Sequence, residues 1–183
     1  MNITENEAYQ NIMRRQTVRE YLPDAVPDDI IDAVLAAAIR APSGRNTQPC
    51  HIRTVENTAV LNEMNTDFKN LVGWNTPAYT NWDIHPFYHN APVLFFIFAA
   101  DASETAAGLM AENIALACSA LGLGSCMIGS IGALFDDSAL SEKWKLRLDI
   151  PCEWKFLLAV SVGFPKELPP MKERESGHIK RFK

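Results

Sequence analysis

Apolar positions recur along this chain in two alternating rhythms. Residues 5–15 read as a short amphipathic helix. A second helix is predicted from Pro27-Asp28-Asp29, where Pro in the first turn and acids near the positive dipole end are favourable. Its apolar set, Ile30, Ile31, Val34, Leu35, Ala38 and Ile39, follows the 3.6 period to Arg40, and Pro42-Ser43-Gly44 ends it. Residues 51–55 read as a strand and 58–68 as a helix. The continuous apolar run from Pro92 to Ala100 predicts a buried strand. Residues 104–121 form a long helix, apolar nearly all round and so expected to be central. Its small residues Ala107, Ala111, Ala115 and Ser119, spaced by four, permit close approach of another helix. A short strand is predicted within 122–128, a helix over 137–147 and a strand over 156–162. Gly163-Phe164-Pro165 then opens a basic tail. Helices and strands interleave without regular βαβ units, which predicts an α+β fold.

Composition narrows this further. With 183 residues, 48% hydrophobic and 21% charged, the whole of 1–183 is expected to form one domain around a sizeable core. The net charge of −5 argues against a nucleic-acid binder. Residues 1–53 carry 6 bases and 7 acids, 54–165 carry 5 and 12, and 166–183 carry 6 and 3. Positive charge therefore gathers at both ends, and a small anion suits the place where they meet. The start, Met1-Asn2-Ile3-Thr4-Glu5, has no basic-then-apolar pattern, and the run over 91–100 is too short to span a bilayer. The expectation is a cytoplasmic protein without membrane contact. Cys50, Cys118, Cys126 and Cys152 are scattered without a zinc spacing, so no metal is expected, only reduced thiols, buried or half-buried.

Four segments carry candidate chemistry. In Arg14-Arg15-Gln16-Thr17-Val18-Arg19-Glu20-Tyr21, residues two apart in an extended segment point the same way. Arg15, Thr17 and Arg19 can then converge on one anion, to which guanidinium offers a bidentate fork. Pro42-Ser43-Gly44-Arg45-Asn46-Thr47-Gln48 offers a hydroxyl and two amides, neutral partners for a heteroaromatic edge. Gly122 to Gly129 lacks the dinucleotide spacing, but glycines near a strand admit a flat ligand. The tail adds Lys172 and Arg174. Between residues 70 and 90, Trp74, Tyr79, Trp82, Phe87 and Tyr88 are too many large aromatics for a solvated loop. That stretch is read as a lid, with Trp74, Trp82 and Phe87 walling a flat substrate. No G-x-S-x-G elbow or Walker loop is present.

In order and spacing, these segments resemble the nitroreductase family. Its opening R-x-[ST]-x-[RK]-x-[FY] matches Arg15, Thr17, Arg19 and Tyr21; its A-P-S-x-x-N-x-Q-P loop matches Ala41, Pro42, Ser43, Asn46, Gln48 and Pro49. The short glycine strand and the late G-[YF]-P with basic residues follow. The departures are Thr17 where Ser is usual, Cys50 where Trp is common, and the individual 70–90 segment. The resemblance implies a three-layer α/β/α sandwich with a mixed, mostly antiparallel sheet in an intertwined homodimer. It implies FMN, held at phosphate and ribityl chain by Arg14, Arg15, Thr17, Arg19, Lys172 and Arg174. Pro42, Ser43, Gly44, Asn46 and Gln48, with Ser43 and Asn46 from the partner subunit, are expected at the ring, and the backbone of Ile128 and Gly129 near flavin N5. No side chain is expected to act as a catalytic group, because the flavin carries the chemistry. NAD(P)H and a nitroaromatic, quinone or similar electron-poor acceptor would react in ping-pong order. The alternatives are a specialised flavin reductase or metabolite dehydrogenase of the same fold, and a non-catalytic flavin carrier.

Overall fold

The computed structural model describes residues 3–74, 86–101, 103–166 and 168–182. Its frame is a four-stranded sheet of β1 (Cys50–Val55), β2 (Val93–Ala99), β3 (Gly124–Ile128) and β4 (Lys155–Gly163), in the order β1-β2-β4-β3. Every strand pair is antiparallel. A single parallel bridge, Thr17 to Ser125, lies outside these strand pairs. All seven residues of β2 are buried, as its unbroken apolar run requires, because both sheet faces are covered.

Successive side chains of β2 enter opposite layers. Leu94, Phe96 and Phe98 pack with α3 (Thr58–Val72), α5 (Gly132–Asp136) and α6 (Ser138–Arg147) through Leu61, Phe68, Phe135 and Trp144. Val93, Phe95 and Ile97 pack with α2 (Asp28–Ala38) and α4 (Glu104–Ala120) through Val34, Ala38, Ala111 and Ile114. A three-layer α/β/α sandwich results. The short α1 (Glu7–Arg14) crosses α4, tied to it where the Asn11 amide donates to the Leu116 carbonyl at 2.8 Å.

The small-residue stripe of α4 is used within this chain. Ala107 and Ala111 lie in the core cluster shared with α2, and Ala115 and Ser119 line a cleft facing the exit of α1. The sequence offered no element over 132–136, where Leu134 and Phe135 form a one-turn helix beneath the sheet. Asp136 ends that helix, and Asp137 caps α6 by accepting from the Leu140 amide at 2.9 Å. Cys152 is exposed, against the expectation of four buried or half-buried thiols; Cys118 and Cys126 are buried. Burial pushes the Cys118 thiol up to about 12, so it packs as a neutral group.

Trp144 is fully buried, and its indole donates to Asp67 Oδ2 at 2.9 Å; the same oxygen accepts from Lys143 Nζ at 2.6 Å. Asp67→Ala strands the buried indole N–H, which costs about 2 kcal/mol. The melting temperature is expected to fall by roughly 4–8 °C in a chain of this size. Asp67→Asn keeps an acceptor and is expected to lose less than half as much. Thermal denaturation of the two variants checks the difference.

Candidate functional site

The segment after α1 runs as a short added strand across the end of the sheet. Val18 N–H donates to the Ser125 carbonyl at 2.9 Å, Leu22 N–H to that of Phe164 at 2.8 Å, and Lys166 N–H to that of Glu20 at 3.0 Å. Val18 is buried while Thr17 is half-buried and Arg19 exposed, the alternation of an extended segment. A Cβ on Gly124 would stand 2.7 Å from Val18 Cβ, so only glycine lets this segment lie on β3. Gly122, at φ +78°, ends α4: the next amide, Leu123 N–H, reaches back to the Cys118 carbonyl at 2.8 Å, closing a Schellman turn.

A cleft of about 190 Å³ lies between this segment and the last turns of α4. Arg14, Arg15 and Gln16, Ala115 and Ser119 of α4, Ser125 of β3 and Leu168 at the root of the tail line it. Arg15 Nε lies 3.6 Å from Glu112 Oε1 of α4. Lys172 and Arg174 are exposed farther along the tail, and Arg19 lies next to the buried Val18. Ile128 is buried at the end of β3. Gly129 follows it, exposed, with no atom within 4 Å of where a Cβ would stand.

The 41–49 loop sits beside the first turns of α4. There Ser43, Gln48, Cys50, His51, Ala106 and Met110 help line a second cleft, of about 170 Å³. Ser43 Oγ accepts from the Gln48 amide at 2.9 Å and closes the loop on itself. Arg45, Asn46 and Gln48 adopt left-handed backbone, at φ +53°, +57° and +48°. Asn tolerates this, whereas Arg and Gln store strain of the kind that gathers at functional sites. Gly44 is not among the left-handed residues.

The aromatic wall is corrected at one position. Phe87 is 5% exposed and packs edge-on against Phe68, with ring centroids 5.6 Å apart, so it belongs to the core beneath α3. Trp74 is half exposed, its indole donating to Asn70 Oδ1 at 3.0 Å. Trp82 lies outside the described residues. Sequence reasoning missed the partner at Glu112. Glu112 carried a signal, as the one acid between Thr105 and Ala120 in an otherwise apolar helix.

Among the described residues no group of three or more His, Cys, Asp or Glu is arranged to hold a metal ion. No helix there is long and apolar enough to cross a membrane.

Comparison with known proteins gives one answer. The sequence model of the Nitroreductase family matches residues 12–164. A protein of Archaeoglobus fulgidus that carries the name NADH dehydrogenase/NAD(P)H nitroreductase is 30% identical over 162 residues, 88% of this chain and 87% of its own. An iodotyrosine deiodinase of Haliscomenobacter hydrossis is 25% identical over 195 residues, covering 94% of this chain and 87% of its own. Among solved structures, a Bacteroides fragilis nitroreductase with bound FMN superposes with a TM-score of 0.86 at 26% identity, over 97% of this chain and 100% of that one. The chain belongs to the nitroreductase family, a family of oxidoreductases.

Proposed function

We propose that this protein is an FMN-dependent oxidoreductase that takes hydride from NAD(P)H and reduces electron-poor acceptors, working as a homodimer with each FMN held between two chains. The observation that carries the shared site is the separation of the two clefts. One lies on the first turns of α4 and the other on its last, with no residue in common. Ala106 and Ser119, one in each, stand about 20 Å apart along the helix axis. A two-fold dimer that brings the 41–49 loop of one chain onto the cleft of the other makes one site from two halves. The tail supplies surface for such a partner, since Leu168, Met171, Ile179 and Phe182 are 63–89% exposed.

The donor set fits FMN. Arg14, Arg15, Thr17 and Arg19, with Lys172 and Arg174 of the tail, match a dianionic phosphate. The open space where a Cβ on Gly129 would stand leaves room for a flat ring beside Ile128. Pro42, Ser43, Gly44, Asn46 and Gln48 of the second chain offer neutral partners to its heteroatoms. When bound, FMN supplies the hydride-accepting and hydride-donating chemistry, so this chain's residues bind, orient and exclude water. The nicotinamide and the acceptor occupy the site in turn. Trp74, half exposed just after α3, is the described aromatic residue assigned to the acceptor.

The test is rapid mixing of the purified yellow protein with NADH or NADPH, then with nitroaromatics, quinones and an iodinated tyrosine. Bleaching of the flavin absorbance and its recovery on adding one acceptor class are expected. A flavin that stays oxidised makes the protein a carrier instead.

Glu112 competes for Arg15 in this reading. Glu112→Gln removes a partly exposed ion pair worth about 0.2–1 kcal/mol, so FMN affinity is expected to rise up to about fivefold. Fluorescence titration measures it.

A further inference from the structure

We propose that Tyr21 is a positioning residue for the phosphate-reading segment, acting through a buried hydroxyl pair with Ser161; the inference rests on the FMN reading above. Tyr21 Oη donates to the Val18 carbonyl at 2.8 Å and lies 3.0 Å from Ser161 Oγ. Ser161, fully buried on β4, in turn reaches the Cys126 carbonyl of β3 at 3.4 Å. The Val18 peptide is thereby held on both sides, its N–H by Ser125 and its C=O by Tyr21. Val18 stands between Thr17 and Arg19, so fixing it sets the direction in which both flanking side chains leave the backbone. Gly163 makes the arrangement fit. A Cβ there would stand 2.6 Å from Pro92 Cδ and 3.1 Å from the Tyr21 ring. Burial raises the phenol far above its ordinary range, so it remains a donor at any working pH. Phe would fill the same space, so the effect of the hydroxyl is separable from packing.

The separation is measured by titrating wild-type, Tyr21→Phe and Ser161→Ala proteins with FMN and with riboflavin, which lacks the phosphate. Loss of one buried hydrogen bond predicts that the preference for FMN over riboflavin falls about fivefold in Tyr21→Phe, with riboflavin affinity unchanged. In Ser161→Ala, where Tyr21 keeps its bond to Val18, a fall of about twofold is expected. A role confined to stability lowers the melting temperature and leaves the preference at its wild-type value, and that result overturns the proposal. If Tyr21→Phe does not fold, the Ser161→Ala preference decides in the same way. A wild-type protein with no preference for FMN overturns the parent reading instead.

Discussion

Replacing Arg15 and Arg19 together with Ala is expected to lower FMN affinity at least about a hundredfold and to yield a folded, colourless protein. Two charge-assisted bonds to phosphate are removed, each worth about 1.5–3 kcal/mol. The fold should survive. Val18, which carries the packing of this segment, keeps its amide bond to Ser125 and its carbonyl bond to Tyr21. Arg15 loses only an ion pair of 3.6 Å, with a Glu112 side chain that is 45% exposed. The measurement is the flavin-to-protein ratio after exhaustive dialysis, with a melting curve alongside. A double variant that keeps stoichiometric FMN places the phosphate elsewhere.

What was legible in the sequence was whatever local periodicity or local chemistry decides. The run over 93–99 had to be a doubly covered strand, and the 3.6 period of Ile31, Val34 and Ala38 had to face a core. The α5 turn was illegible because five residues carry too little periodicity, and only the sheet above them makes Phe135 a core residue. Phe87 shows the same limit from the other side. Its aromatic neighbours suggested a wall, whereas the Asn65 side chain takes its amide at 3.0 Å and Phe68 takes its ring.

The site divides along similar lines. Alternation in an extended segment puts Arg15, Thr17 and Arg19 on a common side and made them candidates together; of the three, Arg15 lines the cleft. That they lie on β3 depends on Val18 meeting Gly124 across more than a hundred residues of chain, which no local pattern records. The strain in the 41–49 loop was equally hidden. The left-handed backbone falls on Arg45, Asn46 and Gln48, not on the loop's glycine. That the loop sits at the far end of α4 from the arginines follows only once the helices are packed.

That separation requires two chains to build each site, and subunit complementation measures whether they do. One variant carries Ala at Arg15 and Arg19, the other Ala at Ser43 and Asn46, and each alone is expected to be nearly inactive. In a heterodimer with shared sites, all four lesions gather in one site and the other is wild type. Random pairing makes about half the dimers heterodimers, each with one intact site. Unfolding and refolding an equimolar mixture is therefore expected to restore roughly a quarter of wild-type acceptor reduction. If each chain builds its own site, every site keeps a lesion. The mixture then stays inactive, and that result contradicts the account.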